Sequence, residues 1–136
     1  MSAISFLLLI AGLKKSRKML KYNKHKELNK RMPNYEVKLG SGLHMGYAIE
    51  GAIGSYYKID ASYLSPNVNM AARLEGATKL YGVPLLITGS LFKYFTKETK
   101  MQCRQVDWVT MQGNDNPVEL YTIDVEPSNI SLEEEL

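Results

Sequence analysis

Apolar positions are concentrated at the start of the chain. Residues 3–13 are apolar except for Ser5 and Gly12, and basic residues dominate the positions that follow. The apolar run is about half of the roughly 20 residues that cross a bilayer. A signal peptide also carries its basic residues before the apolar run, whereas here they come after it. We therefore predict a helix over residues 4–30, apolar first and basic later, that ends before Pro33.

Alternating apolar and polar residues then predict strands. The alternation from Tyr35 to His44 is typical of a half-buried strand, and residues 47–53 predict a second one with glycines near its ends. Residues 56–64 form a short extended stretch. Further strands are predicted over residues 83–87, 102–111 and 117–125, and a turn at residues 113–116 joins the last two.

The clearest predicted helix begins at Ser65-Pro66 and runs to about Tyr81. Serine is a preferred N-cap, and proline at the first helical position loses no hydrogen bond. Gly82 follows as a C-terminal cap. The side chains expected on its buried side are apolar or small: Val68, Ala71, Ala72, Leu74 and Leu80. A shorter helix is predicted from Thr88 or Ser90 to about Phe95. The element order predicts an α+β fold with helices packed on a largely antiparallel sheet.

Composition and charge narrow the possibilities. At 136 residues, with 45% hydrophobic and 23% charged residues, the chain is one globular domain at most. The single cysteine, Cys103, excludes a disulfide within the chain and suits a reducing, cytoplasmic compartment. Residues 14–31 carry nine Lys and Arg against one acid, Glu27, a net charge of +8. This basic run is either a solvated helix face or a contact for phosphate, anionic lipid or nucleic acid.

Three stretches, in this order, resemble the class III nucleotide cyclase catalytic domain, and their sequence pattern is similar to that of protist members. They are Gly42-Leu43-His44-Met45-Gly46 followed by Gly51-Ala52-Ile53-Gly54, the run Asp60–Glu75, and Val109-Thr110-Met111-Gln112-Gly113 followed by Pro117–Tyr121. The resemblance covers roughly residues 36–125 and implies part of a ferredoxin-like nucleotide cyclase fold. The division it implies is an N-terminal helix at residues 1–35, the C-terminal part of a cyclase domain at 36–125 and an acidic tail at 126–136.

The resemblance also implies site residues. Asn69 and Arg73 lie four residues apart on one helix face. In the family, the asparagine orients the ribose and the arginine stabilises charge that develops on the phosphates as the 3′-oxygen attacks. Ser62 matches the position that reads the purine edge, and a hydroxyl leaves ATP and GTP both open. His44 is interpreted as a structural residue beside a strand turn.

Two features depart from the family pattern. Gln112 stands where the family usually has a triphosphate-binding lysine, so hydrogen bonding is kept but the charge is lost. The two aspartates that bind Mg²⁺ or Mn²⁺ in the family belong to an earlier part of the domain, before the helix with which this sequence starts. We therefore expect the metal ligands to lie outside this sequence, and the abrupt apolar start suggests a piece of a longer protein.

The resemblance leaves two functions open. One is a cyclase domain that makes a 3′,5′-cyclic nucleotide from ATP or GTP and contributes Asn69 and Arg73 to a head-to-tail dimer with a second cyclase domain. The other is a catalytically inactive dimerisation or regulatory module. We expect a cytoplasmic location or the cytosolic face of a membrane, membrane contact only through a larger parent protein, and no nucleic-acid partner. A basic binder acting through residues 14–31 is a third, weaker possibility.

Overall fold

The computed structural model describes residues 2–111 and 116–124, and these fall into two units. One consists of residues 2–39 with Asp124, and the other is Gly40–Ile123. Gln112, most of the turn predicted at residues 113–116 and the acidic tail at 126–136 lie outside the described residues.

The N-terminal unit contains three helices where the sequence predicts one. They are α1 (Ser2–Lys15), α2 (Arg17–Asn23) and α3 (Lys26–Arg31). Ser16 (ψ 118°) and His25 (ψ 120°) are extended and interrupt the helix. The second break is stabilised because the Asn29 amide donates to the Asn23 carbonyl at 2.7 Å and to the His25 carbonyl at 3.0 Å. Within the described residues, no helix combines the length and apolarity that a membrane span requires.

The second unit is built on a four-stranded sheet. Its elements are β1 (Ser41–Leu43), β2 (Ile49–Ser55), β3 (Lys58–Leu64), α4 (Pro66–Tyr81), β4 (Leu85–Thr88), α5 (Gly89–Phe92), α6 (Lys97–Met101), β5 (Cys103–Val109) and β6 (Val118–Ile123). The strand order is β1-β4-β6-β5, with β1 parallel to β4 and the other pairs antiparallel. The strands β2 and β3 form a separate antiparallel hairpin. The predicted α+β class, with helices on a largely antiparallel sheet, is confirmed.

The core of this unit lies between α4 and the sheet. Leu74, Leu86 and Leu120 have no exposed surface and pack with Met70. All four residues of β4 are buried, as expected for the central position it shares with β6. The prediction that Leu74 faces the core is confirmed. The prediction is wrong for Val68 and Leu80, which are 37% and 83% exposed, and for Ala72, which is also exposed.

The buried face of α4 is set by its neighbours rather than by its own apolar pattern. Met70, Leu74 and Thr78 form this face at four-residue intervals. Gly42 lies so close beneath it that an added Cβ would meet the Ala71 carbonyl oxygen at 2.5 Å and the Glu75 nitrogen at 2.7 Å. The helix therefore rests on the backbone of β1, and a side chain at that position of the strand would push it away.

Both predicted ends of α4 are confirmed. The Ser65 hydroxyl accepts hydrogen bonds from the backbone nitrogens of Asn67 and Val68, both at 3.1 Å. Pro66 occupies the first helical position, and Gly82 takes the left-handed conformation (φ 65°) that ends the helix. The elements around α4 are less regular than predicted. The strand expected from Tyr35 to His44 contains only Ser41–Leu43, and α6 is not predicted by the sequence.

Candidate functional site

An exposed side of α4 carries the two residues to which the family resemblance assigns a catalytic role. Asn69 and Arg73 are both exposed, whereas Met70 and Leu74 beside them are buried. Neither side chain forms a hydrogen bond or an ion pair with any residue in the described part of the chain. A guanidinium with its donors free can bind phosphate oxygens, and an amide one turn away can orient an adjacent hydroxyl.

Ser62 lies on β3, directly before the turn into α4. It is the one half-buried residue of the hairpin, and its cross-strand neighbour is Gly51. A Cβ built at Gly51 would meet nothing within 4 Å, so the space beside that position is open. The hydroxyl has no hydrogen-bond partner in the described residues. The structure thus brings Asn69 and Arg73 onto one face, places Ser62 on the adjoining hairpin and leaves Gln112 undescribed.

A hydrogen-bonded network holds the N-terminal end of α4, and His44 is at its centre. Asn67 donates from Nδ2 to the Tyr47 carbonyl at 2.9 Å, which directs its Oδ1 to His44 Nε2 at 3.0 Å. Nε2 therefore donates to this oxygen, and Nδ1 lies within hydrogen-bonding distance of the Thr88 hydroxyl, at 2.9 Å. The Ser90 hydroxyl lies 2.8 Å from Thr88 Oγ1 and 3.3 Å from Nδ1. Both ring nitrogens are thus engaged, as a structural role requires.

The spacing of the Gly-x-His-x-Gly motif follows from this network. Gly42 lets α4 approach β1, and Gly46 leaves room for the Asn67 side chain, which an added Cβ would overlap. Between them, His44 connects the ends of β1 and β4 to the first turn of α4. The motif can be recognised in the sequence, but the hydrogen-bond partners of His44 cannot, because Asn67 is 23 residues away and Thr88 is 44 residues away.

A second hydrogen bond holds the C-terminal end of α4. The Tyr81 hydroxyl donates to Asp107 Oδ2 on β5 at 2.6 Å, and the Trp108 backbone nitrogen donates to Asp107 Oδ1 at 2.7 Å. These bonds favour the ionised carboxylate, with the Tyr81 bond the larger cause, and lower the pKa of Asp107. The same bond raises the pKa of Tyr81, with smaller contributions from burial and from the carboxylate charge. The helix with the candidate residues is therefore fixed at both ends.

The described residues do not fit a divalent metal ion. They contain no group of three or more His, Cys, Asp or Glu side chains that could hold one. Asp60, close to the candidate residues in sequence, instead pairs with Lys58 at 3.1 Å on the exposed surface of the hairpin. No chemical step at this site is therefore assigned to a metal held by these residues.

Comparison with known proteins gives similarity to adenylate cyclases. The chain is 32% identical over 88 residues to the adenylate cyclase of Anabaena cylindrica, 25% identical over 92 residues to adenylate cyclase 1 of Rhizobium meliloti, and 31% identical over 88 residues to the terminal-differentiation specific adenylate cyclase of Dictyostelium discoideum. These alignments cover 64%, 68% and 64% of the chain, but only 18%, 13% and 4% of the relatives. The chain thus spans less than a fifth of the length of each of these curated relatives.

Solved structures give matches of the same kind. Two structures of a bacterial light-regulated adenylyl cyclase are 29% and 30% identical to this chain in the matched region, with TM-scores of 0.48 and 0.44. Each match covers 58% of this chain, and the two cover 21% and 37% of the respective solved chains. No protein-family model matches the chain. The similarity to curated adenylate cyclases supports the resemblance to nucleotide cyclases that the sequence motifs carry.

Proposed function

We propose that this chain forms part of a class III nucleotide cyclase domain and supplies Asn69 and Arg73 to a site completed by a second cyclase domain. The observation that carries the proposal is the exposed pair on α4. Both side chains lack a partner in the described residues, while Met70 and Leu74 beside them pack in the core. Side chains held on a rigid element without internal partners are available to a ligand.

The proposed reaction forms a 3′,5′-cyclic nucleotide. The 3′-oxygen of the ribose attacks the α-phosphorus, a new O–P bond forms, and the bond to the departing pyrophosphate breaks. Negative charge builds on the phosphate oxygens during this step, and the Arg73 guanidinium stabilises it by donating hydrogen bonds. Asn69, one helical turn away, holds the ribose so that its 3′-oxygen faces the phosphorus.

The second domain is an integral part of the proposal. In a head-to-tail dimer, the second domain would provide acidic residues, which would hold Mg²⁺ or Mn²⁺ and accept the proton of the 3′-hydroxyl.

ATP is the proposed substrate because the curated relatives are adenylate cyclases. Ser62 is proposed to contact the purine, and its hydroxyl can donate or accept. GTP is the alternative substrate that the assay must include. We place the reaction in the cytoplasm.

One sequence feature favours a second candidate function, an inactive dimerisation or regulatory module. Gln112 lacks the positive charge that the family uses to bind the triphosphate at that position. Losing one charge-assisted hydrogen bond to phosphate weakens binding more than losing a neutral one. A module that binds a second cyclase domain without turnover would tolerate this change.

A mixing assay separates the two functions. The chain is incubated with ATP or with GTP, alone and together with a cyclase domain that keeps its metal-binding aspartates but lacks its own transition-state arginine. The proposal predicts cyclic nucleotide only in the mixture. If the two proteins associate, as judged by analytical ultracentrifugation, and no product forms with either nucleotide, the chain is a regulatory module rather than half of a catalytic site.

A further inference from the structure

Helix α1 has apolar side chains on two sides. Ala3, Phe6, Ile10 and Ala11 are buried, whereas Ile4, Leu8 and Leu9 are 57%, 42% and 51% exposed. Ile4 and Leu8 are one turn apart and form a row along the exposed side. A water-facing helix surface normally carries polar residues. The exposed row therefore points to an apolar environment outside the described residues.

The helices after α1 combine strong positive charge with little packing. Helices α2 and α3 contain no buried residue, and they are only 7 and 6 residues long. Isolated helices of this length are marginal in water, because helices in proteins depend mainly on the packing of one face. In residues 17–31, seven basic residues form no ion pair with a described residue: Arg17, Lys18, Lys21, Lys24, Lys26, Lys30 and Arg31. Leu20 and Tyr22 are 46% and 50% exposed among these charges.

We propose that residues 2–32 bind the surface of an anionic phospholipid membrane. Exposed Leu, Ile and Tyr side chains beside many Lys and Arg are the features of a helix that lies in the interface between lipid headgroups and acyl chains. Ile4 and Leu8 would insert at the boundary between headgroups and acyl chains, and the acidic headgroups would attract the basic helices. Binding would also give α2 and α3 the packed face that they lack in the described chain.

The apolar row decides between membrane and nucleic acid. A nucleic acid would bind the same basic residues through its phosphates, but it would leave Ile4, Leu8 and Leu9 in water. A membrane gains from both sets of side chains, since burial of apolar surface adds to the attraction between charges. The side-chain exposure of α1 thus adds what composition alone does not give, a reason to prefer lipid and a direct contact by this chain.

The test is co-sedimentation of the full chain with vesicles. One set contains phosphatidylcholine alone, and the other contains phosphatidylcholine with phosphatidylserine. We expect binding to the anionic vesicles that weakens as salt rises. Each basic residue near such a surface contributes about 1 kcal/mol, or about fivefold in affinity. The triple variant Lys18→Gln/Lys21→Gln/Lys30→Gln should therefore bind about 100-fold more weakly.

Two further variants make the test specific. The matched control changes three exposed lysines of residues 40–123, Lys79→Gln/Lys93→Gln/Lys97→Gln, and should leave vesicle binding unchanged. The double variant Ile4→Ser/Leu8→Ser should weaken binding by about tenfold or more, because two apolar side chains no longer enter the acyl boundary. Circular dichroism verifies that each variant keeps its helix content. The proposal is overturned if anionic vesicles do not sediment the chain, or if the serine variant binds as well as the parent. If the chain instead binds a single-stranded oligonucleotide in a salt-sensitive way, and the serine variant binds it as tightly as the parent, the basic helices are assigned to nucleic acid.

Discussion

The close contact between β1 and α4 allows one substitution to be judged quantitatively. In Gly42→Ala, the new Cβ would lie 2.5 Å from the Ala71 carbonyl oxygen and 2.5 Å from the Leu74 Cβ, whereas ordinary contact begins at 3.4 Å. The helix would have to move by roughly 0.9 Å, from 2.5 to 3.4 Å. Overpacking of this kind costs typically about 1–3 kcal/mol. We expect a loss near the upper end, about 3 kcal/mol, because two of the three nearest atoms belong to helix backbone.

The same type of substitution within α4 itself should have the opposite effect. Gly76 is exposed within the helix, and a Cβ built there meets nothing within 4 Å. Gly76→Ala should therefore raise the free energy of unfolding by about 0.5–1 kcal/mol, since glycine is a poor helix former. Urea denaturation followed by circular dichroism measures both variants. The packing argument fails if Gly42→Ala unfolds within about 0.5 kcal/mol of the parent, the range typical of surface substitutions.

Two further predictions concern the ends of α4. Ser65→Ala removes the hydroxyl that accepts two backbone hydrogen bonds and should lower the free energy of unfolding by about 1 kcal/mol. Ser65→Asp should largely keep the stability of the parent, because aspartate is also a preferred N-cap. Equal stability of the Ala variant and the parent would contradict the role of Ser65 as a cap. Tyr81→Phe removes the bond to Asp107. The pKa of Asp107 is lowered in the folded chain and that of Tyr81 is raised. The stability from this pair is therefore lost as pH falls below the ordinary aspartate range, near 4, and as it rises past the ordinary tyrosine range, near 10. The parent should exceed the Phe variant in stability most clearly between these limits, and a difference that does not depend on pH would contradict the assignment.

Local chemistry made the ends of α4 predictable. Ser65, Pro66 and Gly82 determine where the helix begins and ends through their own backbone preferences, so the sequence predicts the helix to the residue. The break of the N-terminal helix was not predictable in the same way. It depends on the Asn29 amide reaching two carbonyls, and an asparagine at that position does not by itself indicate such bonds.

Tertiary partners determined what the sequence could not give. The apolar residues of α4 lie on more than one side of the helix, and the close approach to Gly42 determines which side is buried. Leu80 is therefore exposed despite its hydrophobicity. The four-residue spacing of Asn69 and Arg73 was enough to place both on one face. The His44 network was not predictable because it joins residues from separate elements that only the folded sheet brings together.

The most direct test of the central claim is the effect of Arg73→Ala on turnover of ATP in the mixture with the complementary cyclase domain. If Arg73 stabilises charge in the transition state, its loss should lower kcat by about 100- to 1,000-fold, as the loss of other such donors does. Lys79→Ala, an exposed cation on the same helix, should leave kcat unchanged. Equal turnover by the Arg73→Ala variant and the parent chain would contradict the proposed catalytic role of α4.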